Sequence, residues 1–430
     1  LAGLDLAPLA TGLPRTALTG QIDARLSADS PGRAANPLGL QVALDNQRPG
    51  RLDAGELPLR RIELEARGQL SSIDQGRIER LRLQLAAAPP DARQGARRDT
   101  GQIDAEGHWA LVGSGAARRL DLGLTARLTA LQPAQLHQAA PALHLGGPLA
   151  LELAWPLGAP SPAPTTAAGE AAAASGTLHQ LAPDGARLDL RTDLTGHLIG
   201  AGLPAVRLRV ELLGDAQHVE LKQLRAESGT AHLEATGQVR RDAASWRLQL
   251  HSGLHAFDPL VWWPGPGDHP LRRGPHRLDG QARIDLQLPD RRSAAPATGL
   301  TRLAALRGEA QLHLDPSVLA GVPMQGELQL RSSQSDVALG PVPHLLADLQ
   351  LHAGNAPQAT ELRLHADLDP NHGQDRWRLN WSSPALQALA PWWRLIDPTH
   401  PLALAGDTQG QLELDGRWPR LRSRGQLQAG

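Results

Sequence analysis

Seventeen histidines make metal binding and acid–base catalysis the first chemistries to weigh in this chain. His251 and His255 are four residues apart, a spacing that brings two imidazoles to one metal when the segment is a helix. The residues around them alternate between apolar and polar, however. On a strand the same spacing leaves the two rings on one face about 13 Å apart. No Glu follows them in a metalloprotease-type arrangement, and His137 and His144 are no better placed. Both pairs therefore read as solvated face residues. Asp and Glu are scattered among Arg, as cross-strand charge pairs are, not as acid–base dyads. There is no Gly-x-Ser-x-Gly elbow, and no Gly-rich phosphate loop with a lysine, since Lys222 is the only lysine. There are no cysteines, which removes disulfides, thiolate metal sites and a thiol nucleophile. The expectation is a protein that is not an enzyme and carries no cofactor or metal.

The elements that carry these residues are strands. Val206, Leu208, Val210 and Leu212 alternate with Arg207, Arg209 and Glu211. Leu81, Leu83 and Leu85 alternate with Arg82 and Gln84, and Leu362, Leu364, Ala366 and Leu368 with Arg363, His365 and Asp367. A period of two puts one set on each face of a strand. One face is then Leu, Ile, Val and Ala and the other Arg, Gln, Asp, Glu and His, the pattern of antiparallel sheet with one solvated side. The formal net charge is −1 and the basic residues are interspersed with acids. Nucleic acid is accordingly not an expected partner.

A phrase recurs along the chain: an apolar strand, a proline, then a short apolar stretch. Its copies are Leu4-Asp5-Leu6-Ala7-Pro8, Leu128-Thr129-Ala130-Leu131-Gln132-Pro133, Leu254-His255-Ala256-Phe257-Asp258-Pro259 and Leu379-Asn380-Trp381-Ser382-Ser383-Pro384. The prolines at 8, 133, 259 and 384 are 125, 126 and 125 residues apart, which points to an array built by repetition. Asp258 and Ser383 suit a helix N-cap, with Pro259 and Pro384 in the first turn, so helices are expected over Leu260–Trp263 and Ala385–Trp393. Ala7 and Gln132 give the first two copies no such cap. The paired tryptophans Trp262-Trp263 and Trp392-Trp393 are expected to pack their helices against the sheet, with gates or partner anchors as the alternative.

Glycine followed by Gln or Glu and then an apolar residue occurs at Gly20, Gly68, Gly101, Gly237, Gly280, Gly308, Gly326, Gly410 and Gly425. Repeated at equivalent points of successive strands, it would let a sheet curl; simple turn endings are the other reading. At about 12 residues for a strand and its turn, on the order of 30 strands are expected. No shift in composition marks a domain boundary, so residues 1–430 read as one continuous repeat-built trough. A low-complexity loop is expected over 157–176 and a shorter one near Arg292–Gly299.

An apolar face this large must be hidden or used. A membrane barrel needs aromatic girdles, and this chain has no Tyr and one Phe. A parallel β-helix would show short coils with Asn or aromatic ladders. A filled solenoid and a partly filled trough that accepts acyl chains remain. The expected fold is all-β: an elongated, curled antiparallel sheet with a few short helices. The candidate lining is Leu18, Ile22, Leu26, Val42, Leu64, Leu83, Val206, Leu208, Val210, Ile284, Leu286, Leu328, Leu351, Leu364, Leu412 and Leu414. Each would offer a hydrocarbon wall.

Three stretches carry a family resemblance. Phe257-Asp258-Pro259-Leu260-Val261-Trp262-Trp263-Pro264-Gly265, Pro316-Ser317-Val318-Leu319-Ala320-Gly321-Val322-Pro323 and Gln409-Gly410-Gln411-Leu412-Glu413-Leu414-Asp415-Gly416-Arg417-Trp418-Pro419 resemble segments of the proteobacterial TamB and AsmA-like family. The resemblance implies a long β-sheet trough (a "β-taco") in the periplasm, anchored in the inner membrane by a segment not present here. It implies conduction of phospholipid toward the outer membrane and a partnership with an Omp85-family barrel through regions outside this chain. Alternatively, it implies a scaffold for assembling outer-membrane proteins and autotransporters. Beginning at Leu1 and ending in mid-pattern at Gly430, the chain reads as a middle fragment of such a protein.

Overall fold

A computed structural model describes residues 2–8, 14–26, 37–69, 72–86, 101–137, 140, 143–157, 185–198, 204–242, 245–259, 274–289, 307–334, 343–368, 375–396, 405–417 and 420–430. The fold is all-β and antiparallel, as expected. It divides into two units, Leu1–Gly229 and Thr230–Gly430.

The first unit holds β1 (Leu18–Leu26), β2 (Pro37–Asn46), β3 (Leu59–Gln69), β4 (Ser72–Leu85), β5 (Gln102–Val112), β6 (Arg119–Leu131), β7 (Leu143–Pro156), β8 (Arg187–Leu198), β9 (Ala205–Asp215) and β10 (His218–Ser228). Each strand pairs antiparallel with its sequence neighbour, from β1–β2 through to β9–β10. The second unit repeats the plan with β11 (Ala231–Asp242), β12 (Ser245–Phe257), β13 (Leu278–Pro289), β14 (Arg307–Leu319), β15 (Val322–Gln334), β16 (Pro343–Ala353), β17 (Thr360–Leu368), β18 (Arg376–Ser383), β19 (Thr408–Arg417) and β20 (Arg420–Ala429). Within each unit the first and last strands do not pair with each other, so neither sheet closes. The one parallel pairing among the described residues is an isolated bridge between Arg15 and Glu56, which sets a parallel β-helix aside.

The described residues hold 20 strands, not about 30, because single strands run to 14 residues. Two prolines lie inside them: Pro148 within β7, and Pro316 at a register shift in β14. Bulges of this kind accommodate a proline that a regular ladder would not. The recurrent prolines 133, 259 and 384 follow β6, β12 and β18, so one repeat is six strands.

Two copies of the phrase share a device. The register slips between Leu128 and Leu131 where β6 meets β7, and between Leu254 and Phe257 where β12 meets β13. Inside each slip an alanine is left-handed: Ala130 at φ 51° and Ala256 at φ 44°. The extra residue bends the strand at its end and turns the chain toward the proline. After Pro133 it forms α1 (Pro133–Leu136), with no side-chain cap from Gln132. The segment 260–263 lies outside the described residues, as do 158–176 and 292–299.

The fourth copy does form a helix, but with another start. A 3-10 turn covers Leu386–Leu389 and α2 follows over Ala390–Ile396. Ser383 does not cap it. Its hydroxyl is 2.7 Å from that of Thr360, buried between β17 and β18, and the residue before the 3-10 turn is Ala385. This segment runs back along the border of the sheet. Ala388 lies by Gly354 in the β16–β17 turn, and the Trp392 indole donates to the Leu319 carbonyl at the end of β14, 2.9 Å away. Ser317, Val322, Ala353, Thr360, Ser383, Ala385 and Thr408 along the same border are all buried. Trp392 thus ties its helix to the sheet.

A left-handed alanine costs about 1–2 kcal/mol that glycine does not. Glycine returns part of this through the freer unfolded chain. Ala130→Gly and Ala256→Gly are each expected to raise stability by roughly 0.5–1 kcal/mol, read as a higher urea midpoint with unchanged slope. A midpoint at or below that of the parent would mean the bulge is not built this way.

Candidate functional site

The site is a face. Because opposite residues in an antiparallel pair share a face, each register can be followed from strand to strand. In the first unit one row reads Ala24, Leu40, Ala66, Ile78, Gly107, Leu124, Leu151, Leu190, Leu212 and Leu221, one residue from each of the ten strands. The next reads Ile22, Val42, Leu64, Leu81, Ala105, Ala126, Leu149, Thr192, Val210 and Leu224. In the second unit, rows run through Ala235, Ser252, Ala282, Leu312, Leu328, Leu349, Leu364, Leu379, Leu412 and Gly425, and through Gly237, Leu250, Ile284, Ala310, Leu330, Ala347, Ala366, Trp377, Leu414 and Ser423.

The remaining candidates fall on the same faces. Leu83 sits in the row of Leu44, Ile62, Ile103 and Leu128, and Leu208 between Leu194 and Ala226. Leu286 sits between Leu248 and Gly308, and Leu351 between Gly326 and Leu362. Leu26 lies opposite Leu38 at the end of β1. Two candidates are unsuited to be open wall. Leu18 and Val206 are sealed at 4% and 2% exposure, at the strand ends where the chain folds over them. Ile22 is the reverse, 57% exposed on the edge strand. The other candidates with described side chains are half-buried. Within each unit the described residues supply no second layer over this face. Leu124, Leu151 and Leu190 in the first unit, and Leu349 and Leu379 in the second, belong to the apolar face of their own unit and were findable from the parity of the alternation. The aromatic members Trp109, Trp377 and Trp381 were not, since aromatics carry little parity signal when so few are present.

Glycine bends the walls. Eight of the nine signature glycines lie in strands, on the apolar face. A Cβ on Gly410 would stand 2.6 Å from the Gln426 carbonyl oxygen, and one on Gly425 the same distance from that of Gln411. Gly237, Gly280, Gly308 and Gly326 would likewise strike a carbonyl of the neighbouring strand. A side chain that stood upright on a flat sheet would meet nothing there, so adjacent strands fold toward the apolar side at these points. The freed space is taken by rings: the indole of Trp109 lies over Gly76 and that of Trp381 over Gly410.

The opposite face is where the charges meet each other. Arg82 reaches Asp104 at 2.9 Å, Arg247 reaches Asp285 at 2.9 Å, and Arg378 reaches Glu413 at 3.2 Å, all across strands. Arg61–Glu63, Arg119–Asp121 and Arg191–Asp189 pair along one strand, two residues apart. A depression of about 640 Å³ lies mainly on this face of the first unit, edged by Arg119, Asp121, Glu152, Arg187, Asp189 and His218. Its charged rim makes it a poor place for hydrocarbon. The histidines are strand residues as well: His144 stacks on His197 with ring centres 5.2 Å apart, and His255 contacts Asp279 at 2.9 Å. His251 lies on the same strand as His255 and pairs across to Thr236 and Arg283. No three His, Asp or Glu side chains converge as metal ligands among the described residues. Nor is any described helix long and apolar enough to cross a membrane.

Hydrogen bonds from Arg207 and Arg209 hold the Asp193 carboxyl well below the usual carboxylate range. A lowered folded-state pKa adds stability that is whole above the ordinary value near 3.8 and is lost as pH falls below it. Asp193→Asn is expected to lower the thermal midpoint at pH 6 by the equivalent of no more than about 1 kcal/mol, since the cluster is solvated. The gap from the parent should narrow at pH 3. An equal gap at both pH values would show that the charge is not what matters.

Comparison with protein families, with curated proteins and with solved structures finds no match to this chain.

Proposed function

We propose that this chain conducts phospholipid along its apolar sheet face, as a periplasmic bridge of the kind that the TamB and AsmA-like resemblance implies. The observation that carries the reading is the continuity of uncharged, mostly apolar rows through all ten strands of each unit, on which the large side chains such as Leu64, Leu328, Leu364 and Leu412 are only half-buried. Removing a CH₂ from water contributes about 0.8 kcal/mol, so two chains of about 16 carbons would lose on the order of 25 kcal/mol in open water. A wall that shelters them at every step lowers that barrier without an acid, a base or a nucleophile. The inward fold at the glycines supports the reading, because it brings wall toward wall around a chain. Two of the stretches that carry the resemblance lie in this architecture: Pro316–Pro323 spans the β14–β15 turn, and Gln409–Arg417 lies within β19.

The test uses charge placed in the lane. Leu208→Asp and Leu286→Asp are each expected to cut transfer of labelled phospholipid from donor to acceptor vesicles at least tenfold, while Glu327→Gln on the polar face leaves it unchanged. Thermal melts check that the variants fold. Transfer at the parent rate by folded variants would end the conduction reading.

A scaffold for outer-membrane strands is the second reading, and β20 favours it. This strand pairs only with β19 among the described strands and is exposed along almost its whole length, with Leu427 at 69%. An edge of this kind can accept a client strand. A photocrosslinker at Gln426 is expected to give adducts with outer-membrane polypeptide if the scaffold reading holds, and one at Leu364 adducts with lipid if conduction holds. Lipid adducts at Leu364 with none to polypeptide at Gln426 would remove the scaffold reading.

A further inference from the structure

Two histidines of the second unit meet across strands on its polar face. His232 in β11 lies directly opposite His255 in β12, in register with the polar partners Glu234–Gly253 and Thr236–His251. Their ring centres are 4.8 Å apart and the rings are tilted by 37°. The other side of His255 is already engaged. Its Nδ1 lies 2.9 Å from a carboxylate oxygen of Asp279 in β13. That carboxylate is itself held in place: it accepts from the Ala256 backbone N–H at 2.9 Å and from the Arg277 guanidinium at 3.2 Å, and its side chain is only 13% exposed. A neutral His255 ring therefore keeps its proton on Nδ1, and its bare Nε2 is turned away from β13, toward β11 and solvent. Spacing along the chain pairs His255 with His251; the register supplies His232 instead.

We propose that His232 and His255 form a site for a divalent transition-metal ion, Cu²⁺ first among them, with Asp279 as its positioning residue. Imidazole nitrogen suits copper, zinc and nickel, and Cu²⁺ stands highest in the affinity order of the divalent first-row ions. A metal about 2.0 Å from one nitrogen of each ring sets the ring centres roughly 4.5–5 Å apart when the two ligands are neighbours in its coordination sphere. The pair stands at that separation already. The lone pairs of imidazole lie in the ring plane, so two rings share a metal only where their planes cross. The tilted pair meets this condition, whereas His144 and His197 of the first unit, stacked at 16°, turn their faces to each other. A carboxylate on the outer nitrogen of a ligating histidine fixes its tautomer and raises its basicity, which is the part Asp279 plays. No third His, Asp or Glu side chain converges on the pair among the described residues, so water completes the sphere. The ion would tie β11 to β12 beside the left-handed Ala256. It sits on the polar face, so the inference goes beyond lipid conduction and does not depend on it.

The test titrates CuCl₂ into the full chain by calorimetry and compares the parent with variants. The parent should take up one equivalent that is missing from His232→Gln and from His255→Gln, and the electron paramagnetic resonance spectrum of that equivalent should show coupling to two imidazole nitrogens. Asp279→Asn should keep the equivalent, weaken it about tenfold, as loss of an outer partner does, and alter its copper hyperfine splitting, which a purely structural role would leave alone. His197→Gln should change nothing. Uptake equal to the parent's by a folded His232→Gln variant would overturn the site, and so would loss of the same equivalent in His197→Gln. Parent-like affinity and spectrum in Asp279→Asn would overturn the positioning role. A further measurement needs no variant. One equivalent of Cu²⁺ should shield His232 and His255 together from ring acylation by diethyl pyrocarbonate, read by mass spectrometry, while His251 still reacts. Modification of His232 and His255 that the ion leaves unchanged would overturn the proposal.

Discussion

Everything in this structure depends on register. A strand with period-two alternation has one dry side only as long as each neighbour is aligned to it, and a slip of one residue would turn every leucine of that strand toward water. Here the alignment is kept through two runs of ten strands. Where the ladder does slip, as at Leu128–Leu131 and Leu314–Ser317 near strand ends or at Ile78–Leu81 within β4, it takes an extra residue and resumes with leucine or serine on the sheltered side. The polar face reinforces the choice. Arg82 can meet Asp104 only if Leu83 and Ile103 are opposite each other one residue on. Each such pair is worth little as stability in solvent, but in a shifted register like charges would face one another.

The second constraint is the absence of a covering layer over the described strands of either unit. In a sandwich the apolar side chains of one sheet fill the gaps of the other. Here half-buried leucines shelter one another along and across strands. Full burial is reached by large side chains at strand ends, as at Leu18, Leu85, Leu143 and Val206, and within strands by small ones such as Ala66 and Ala366. The glycines then set how far the sheet bends inward. Local backbone geometry and not a packed core determines the spacing of the walls.

Much of this was legible in the residues. Alternation in Leu81–Leu85, Val206–Leu212 and Leu362–Leu368 placed the strands and the correct face, and the Gly-Gln and Gly-Glu starts marked points of curvature. The strand count was overestimated because about 12 residues were allowed for a strand and its turn, whereas β4 and β7 alone run to 14 residues each before any turn. The left-handed turns were hidden because alanine occupies them, where glycine or asparagine would have shown them. Ser383 looked like a cap because its type fits one; only the fold shows its hydroxyl engaged by Thr360. As for the face itself, parity identified its leucines, but not that Leu18 and Val206 are sealed. That depends on what lies beside each strand end, which is a property of the assembled sheet.

The repeat of six strands has a consequence for construction. In a meander each added strand moves the growing end of the chain from one margin of the sheet to the other. Within each unit an even module therefore delivers the proline phrases to one margin: Pro8 and Pro133 in the first, Pro259 and Pro384 in the second. An odd module would scatter them on alternate sides. Lengthening by whole hairpins keeps these phrases on one seam of a unit, so such a sheet can gain or lose reach without changing its sidedness.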